Sequence, residues 1–519
     1  MIRSSFRFFK CFFCCTIIAI VVVACGKNQS KPLVTRGCID EMAVRQFALS
    51  ETKIRGYIND LMYADGAMQV ADTRIKDYYK ENGPFLWISR FGLSHNADSV
   101  LKYVARVSDL GFSPSKFKLD EIERDKRLAD SLDFEDENIN KVFARLEYNL
   151  TKAYLQYVVG QRFGYVNPRK LLNRLDVRDS DSVRVTYQGL FDLPIKKVTF
   201  AFVQQAFNKI RHDSVGVFLR ESEPKDGFYN SLLTELHRTE ERSAARMRIL
   251  CNMERCRWAV NDRMENHKKY VLLNIPSQEL EAIDGDERLS MRVVCGSKKT
   301  KTPLLQSYIQ RIDINPQWII PRSIIDKSVS RHAGNAYYFE SNNYFIRERK
   351  TGKTVNPALV TSQMLKSNEY LVIQKGGKGN ALGRIIFRFN NKFSVFLHDT
   401  SNPSLFASVD RLASHGCVRV QKPFELATFL LSDKDEELIS KIQYSIGIDG
   451  DGGANDENFG GEESKVDKSR IVHSIALKPH IPLYITYFTL MPSASGQLVA
   501  YPDIYGYDGV IANALNKYI

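Results

Sequence analysis

Residues 384–419 read RIIFRFNNKFSVFLHDTSNPSLFASVDRLASHGCVR, and most of what the chain can be follows from them. The first part holds two short apolar runs, Arg384 to Phe389 and Lys392 to His398, joined at Asn390-Asn391 in the pattern of a hairpin. In the second run Phe393, Val395 and Leu397 alternate with Ser394, Phe396 and His398, so His398 is expected to end a strand and point out of the sheet. Nineteen residues after it stands Cys417, within Ser414-His415-Gly416-Cys417-Val418-Arg419. Pro423, followed by Phe424, Ala427, Leu430 and Leu431, predicts a helix with proline in its first turn.

These residue types suit one kind of chemistry. A protonated thiol is a weak nucleophile, so a catalytic cysteine needs an imidazole, peptide dipoles or a helix N-terminus beside it to favour thiolate. All three are expected near Cys417. His398, displayed from a neighbouring strand, is the candidate general base. His415 is only two residues from Cys417 and is assigned to shaping the turn and the oxyanion site, and Gly416 allows tight backbone geometry beside the cysteine. Thiolate, base and oxyanion donors suffice for acyl transfer, which requires no cofactor and no metal. A metal site of His398, His415 and Cys417 lacks a fourth ligand at suitable spacing.

The flanks supply the architecture, which is α+β: a helical scaffold, then a mostly β catalytic domain with an inserted lid. Tyr270 to Pro276 is strand-like, and Asp284-Gly285 sits as a hairpin turn between Leu280–Ile283 and Met291–Val294. The segment 322–371 is more helical and polar and reads as a lid over the donor groove. Apolar positions such as Val100, Leu101, Val104 and Val107 repeat at helical spacing in the first half. The expected boundaries are 1–24 signal, 25–39 tether, 40–265 helical scaffold, 266–480 catalytic domain, and 481–519 a terminal segment completing it. Residues 449–463, DGDGGANDENFGGEE, read as a surface insertion. They fail as a calcium loop, because Gly453, Ala454 and Gly460 stand where ligands and the turn glycine are needed.

The first 25 residues read as an export signal. Arg3, Arg7 and Lys10 precede an apolar run from Phe12 to Val23 that is too short for a membrane span. The run ends in Val22-Val23-Ala24-Cys25-Gly26, similar to the lipobox of bacterial lipoproteins, which implies a lipidated Cys25, a membrane anchor and a periplasm-facing place in the cell envelope. Gly26 and Lys27 lack the aspartate associated with inner-membrane retention, which favours the outer membrane. Taking Arg3, Arg7 and Lys10 from the 73 basic residues leaves 70 against 60 acidic ones, a moderate excess suited to an anionic polymer. The charge is not in blocks and no nucleic-acid signature is present, so nucleic acid is not an expected partner. Of the cysteines beyond the signal, Cys38, Cys251, Cys256, Cys295 and Cys417 are an odd number, and their pairing stays open. Cys295 is expected to be buried or disulfide-bonded, and Trp87, Trp258 and Trp318 to pack rather than to form sugar platforms.

The segment Gln374 to Leu431 resembles the L,D-transpeptidase family through Asn380-Ala381-Leu382-Gly383-Arg384, His398-Asp399-Thr400, Ser404-Leu405-Phe406 and Ser414 to Arg419. Asn252-Met253-Glu254-Arg255-x-Arg257-Trp258, Val271 to Pro276, Lys301-Thr302-Pro303 and Asn315-Pro316-x-Trp318-x-Ile320-Pro321 extend the resemblance to its large multi-domain murein members with a helical scaffold. The resemblance implies that Cys417 attacks the L-centre carbonyl of meso-diaminopimelate in a peptidoglycan tetrapeptide stem, releases the terminal D-alanine, and passes the acyl group to a second stem as a 3→3 crosslink. It also implies that His398 relays the protons while Ser414, Gly416 and Arg419 organise the site and bind substrate. Delivery to water or to a protein amine, making a carboxypeptidase, endopeptidase or protein-to-wall ligase, is the alternative with the same acyl-enzyme, and a non-catalytic wall-binding scaffold is the other. Gln374-Lys375-Gly376-Gly377-Lys378-Gly379 departs from the family's Gln-x-Pro-Gly-Pro and is expected to loosen that loop. Residues 190–240 are where the subgroup's peptidoglycan-binding module would fall, and its presence stays open.

Overall fold

The computed structural model describes residues 49–519 apart from 67–69, 90–91, 133, 135–136, 181–184, 242, 433–434, 449–465 and 494. The export signal, Cys25, Cys38 and the 449–463 stretch lie outside the described residues. The chain forms two compact units, one of residues up to 163 with 197–224 and 517–519, the other of 164–196 with 225–516.

The first unit is helical: α1 (Glu51–Ala64), α2 (Val70–Lys80), α3 (Asn96–Ala105), α4 (Leu119–Ser131), α5 (Ile139–Phe163), α6 (Phe200–Arg211) and α7 (Val215–Ser222). α5 is buried nearly all round, as a central helix must be. Its Glu147 is fully buried and accepts the backbone N–H groups of Leu86 (2.6 Å), Trp87 (2.9 Å) and Ile88 (3.2 Å), while Trp87 donates its indole N–H to Thr151 at 2.9 Å. Trp87 is thus a packing residue, as expected.

The second unit opens its main sheet with β1 (Lys269–Asn274), β2 (Glu279–Asp284), β3 (Glu287–Gly296) and β4 (Leu304–Ile314). Asp284 pairs with Glu287, so the expected hairpin turns there, at Gly285-Asp286. A second small sheet follows, from β5 (Trp318–Ile319), β6 (Tyr344–Glu348), β7 (Thr354–Val355) and β8 (Tyr370–Gln374). Around it Ile320, Ile325, Val329, Phe339, Ile346, Val360, Leu365 and Val372 form a separate hydrophobic core, with Trp318 packed against it. The expected lid is therefore a mixed α/β module with its own core, and less purely helical than its polar composition suggests.

The main sheet resumes with β9 (Ile385–Phe389), β10 (Leu397–His398), β11 (Leu412–Ser414), β12 (Val418–Val420) and β13 (Ser474–Thr486). Its order is β9-β10-β12-β3-β2-β1-β13-β4, with the two-residue strand Phe191–Asp192 parallel beside β4 and β11 beside β3, and β4 pairs back onto β9, so the sheet closes on itself like a barrel. The units differ from the expected boundaries. Residues 164–196 and helices α8 (Gly227–Arg238) and α9 (Ala244–Arg257) group with the barrel rather than with the helical unit; β13 begins before residue 481; and 517–519 groups with the helical unit.

α9 groups with the barrel because its buried polar residues find their partners there. Asn252 bonds Thr489 through side chain (2.8 Å) and backbone (3.0 Å), Arg255 pairs with Asp508 at 2.6 Å, and Glu254 accepts the Val166 N–H at 2.8 Å. Trp258 is buried and donates to Glu254 at 3.2 Å.

Candidate active site

Cys417 sits between β11 and β12, in a turn shaped by the residues just before it. Gly416 takes φ +113°, a conformation that side chains rarely adopt. The Ser414 hydroxyl donates to the Cys417 carbonyl and accepts the Gly416 N–H at 3.1 Å. The Ser414 carbonyl is held in turn by the Ser297 N–H (3.0 Å) and the Thr300 hydroxyl (2.9 Å), and Val418 N–H donates to the Phe396 carbonyl at 2.9 Å. The backbone N–H of Cys417 has no hydrogen-bond partner among the described residues.

His398 arrives on β10, which runs parallel to β12 with His398 opposite Arg419 and Leu397 opposite Val418. The Arg419 guanidinium is close enough to act electrostatically on both His398 and Cys417. The imidazole is buried, with Nδ1 2.5 Å from the Asp399 carbonyl. A carbonyl can only accept, so Nδ1 carries the hydrogen and the neutral imidazole keeps its basic lone pair on Nε2. Burial lowers the His398 pKa to about 4; the Asp399 and Leu382 carbonyls oppose this and the Arg419 charge reinforces it. Asp399 is itself fixed, its carboxylate accepting N–H groups from Arg384 (2.8 Å) and Thr400 (2.7 Å).

The thiol of Cys417 is pushed up by burial, against the Phe396 N–H directed at it and the Arg419 guanidinium. The resting site is therefore a neutral thiol beside a neutral imidazole. This differs from the expected thiolate, because burial disfavours the charged form. The helix from Pro423 is present as expected in α10 (Pro423–Leu430), just after β12.

The structure brings Cys417, His398 and Arg419 together. Ser414 and Gly416 build the turn, and the Gly416 N–H is occupied by Ser414 rather than open to an oxyanion. His415 is exposed. The Arg419 Nε is buried and has no hydrogen-bond partner among the described residues. The remaining described cysteines, Cys251, Cys256 and Cys295, are unpaired; Cys295 and Cys251 are buried and pushed up to about 12 by burial, which makes them poor nucleophiles.

The loop after β8 is more constrained than its glycines suggest. Gln374 accepts the Ala381 N–H at 2.9 Å and donates to Asn342 (3.1 Å) and Gly379 (3.3 Å); Asn380 accepts from Leu382 at 2.8 Å and donates to Lys375 (2.8 Å) and Pro316 (3.1 Å). These two amides tie down what the missing prolines would have stiffened. Sequence reasoning missed Asp399, Thr300 and the Phe396 N–H as parts of the site, because each acts through backbone geometry that no residue pattern spells out.

Residues 268–443 match the model of the L,D-transpeptidase catalytic domain, and residues 73–236 that of a scaffold domain. The chain thus carries an L,D-transpeptidase catalytic domain preceded by a scaffold domain. It is 28% identical over 240 residues to a Haemophilus influenzae protein named "Putative L,D-transpeptidase", covering 46% of this chain and 44% of that one. The chain therefore spans less than half the length of that relative. A solved chain described as the Ldtfm-avibactam carbamoyl enzyme is 11% identical, with 30% of this chain and 40% of that one covered at a TM-score of 0.16, a likeness on which nothing below rests.

Proposed function

We propose that the protein is a peptidoglycan L,D-transpeptidase that forms 3→3 crosslinks through an acyl-enzyme on Cys417. The observation that carries this reading is the neutral His398, on the strand paired with the one that follows Cys417 and held through Nδ1 by the Asp399 carbonyl. His398 Nε2 takes the thiol proton as sulfur attacks the L-centre carbonyl of meso-diaminopimelate in a tetrapeptide stem. The oxyanion that forms is met by the Cys417 N–H. Collapse breaks the amide to the terminal D-alanine, whose amine leaves with the proton held by His398. The side-chain amine of a second stem then attacks the thioester and gives up a proton through His398. An amide forms and the thiol is restored. Arg419, with its unpaired Nε, suits the stem's carboxylate.

The lid module over residues 322–371 is assigned to the donor groove. Lipidation at Cys25 would hold the enzyme on the envelope, periplasm-facing and on the outer membrane; among the described residues no helix is long and apolar enough to cross a membrane.

The test is mass spectrometry of muropeptides after incubating the protein with tetrapeptide-containing peptidoglycan, beside Cys417→Ala. Loss of D-alanine with 3→3 dimers in the wild type alone is the expected result. Tripeptides without dimers would make it a hydrolase using the same acyl-enzyme, and no change in either sample would leave a wall-binding scaffold.

A further inference from the structure

Behind the nucleophile turn lies a closed ring of hydrogen bonds that the mechanism above does not use. The Thr302 hydroxyl donates to the Gly416 carbonyl at 3.0 Å and accepts the Gly296 N–H at 2.9 Å. The Thr302 N–H donates to the Tyr505 hydroxyl at 3.1 Å, and that hydroxyl donates to the Gly296 carbonyl at 2.6 Å. Thr302 is fully buried and Tyr505 nearly so. The ring is tight, since a Cβ on Gly296 would collide with the Thr300 carbonyl and meet the Thr302 nitrogen at 2.7 Å. It is also anchored from outside: Tyr505 N–H donates to the Tyr487 hydroxyl at 2.8 Å, which donates to Asp503 at 2.6 Å.

The Gly416 carbonyl and the Cys417 N–H are the two ends of one planar trans peptide, so a bond that fixes the carbonyl also aims the N–H the opposite way. The Gly416 carbonyl is held by Thr302, and the Cys417 N–H has no hydrogen-bond partner among the described residues. We infer that Thr302, locked by Tyr505, is the positioning residue that aims the Cys417 N–H at the carbonyl oxygen under attack. This rests on the acyl-transfer reading above and deepens it. Neither residue touches substrate; both act by preorganising a donor, which is worth more in a dry site than the same donor left free to turn.

The experiment compares two reagents on Cys417, followed by peptide mass spectrometry. Iodoacetamide alkylates by displacement at carbon and needs no oxyanion donor, whereas the carbapenem imipenem acylates through a tetrahedral oxyanion. Thr302→Val is expected to slow acylation by about a hundredfold and to leave alkylation unchanged, with Thr302→Ser restoring acylation. Tyr505→Phe shifts the same ratio in the same direction, and decides the matter if Thr302→Val does not fold by thermal melt. Equal slowing of both reactions, or slowing of neither, overturns the proposal. A wild type that is alkylated but never acylated removes the acyl-transfer reading and this inference with it, while normal acylation of wild type and Thr302→Val alike removes the role of Thr302 alone.

Discussion

The Ser414 hydroxyl spans the nucleophile turn, donating to the Cys417 carbonyl while accepting the Gly416 N–H at 3.1 Å. One oxygen thus closes both ends of a three-residue loop whose geometry a left-handed glycine alone would leave soft. Ser414→Ala removes both bonds and leaves two buried backbone groups unpaired. It is expected to destabilise the protein by about 1–3 kcal/mol and to slow acylation of Cys417 on the order of a hundredfold. Denaturant melts and acylation rates by intact-protein mass spectrometry check both, and wild-type acylation would mean that the turn holds without it.

His398 has a pKa of about 4 in the folded protein against 6.5 when free. Between those values the unfolded chain binds a proton that the folded one does not. Stability from this group is therefore complete above pH 6.5 and falls as pH drops toward 4. The loss reaches roughly 3 kcal/mol. Melting temperatures measured from pH 7.5 to 4 should fall more steeply for the wild type than for His398→Gln; parallel slopes would assign the acid sensitivity elsewhere.

Gly383 takes φ +67°, and a Cβ there would run into the Asp399 side chain. Asp399 holds His398 through its carbonyl, so strain at 383 is transmitted to the base. Gly383→Ala should cost about 1–3 kcal/mol and lower the rate at which Cys417 is acylated, more than it lowers alkylation by a small electrophile. Retained acylation in a destabilised variant would show that His398 does not depend on this cradle.

Phe339 is fully buried in the separate core of the lid module. Phe339→Ala is expected to remove about 3–5 kcal/mol from that module. Hydrogen exchange should quicken across 318–374 while β1 to β4 keep their protection. Uniform loss of protection over both sheets would mean that they fold as one.

How much of this could be read in advance depended on range. The helix from Pro423 and the hairpin at Asp284 were legible because their signals are local in sequence. The strand assigned to 392–398 was only partly right. The Asn391 side chain accepts the N–H groups of Phe393 (3.0 Å) and Val395 (3.1 Å), and Ser394 turns to φ +54°, so only Leu397 and His398 pair. Helix 244–257 read as part of a scaffold because it continues the helical pattern that precedes it, while its partners Thr489 and Asp508 lie far along the chain. The closed thiol–imidazole state was hidden for the same reason: burial is a property of the assembled barrel.

The neck of the lid has its own consequence. β4 and β9 are antiparallel neighbours, with Ile314 opposite Ile385 and the Asn315 N–H on the Arg384 carbonyl at 2.7 Å, and the next segments out, β5 and β8, pair again from Trp318 to Gln374. The barrel therefore experiences the whole excursion as the tip of a hairpin. Whatever such a tip contains can lengthen, shorten or be exchanged while the strand that ends in His398 and the strands on either side of Cys417 keep their register.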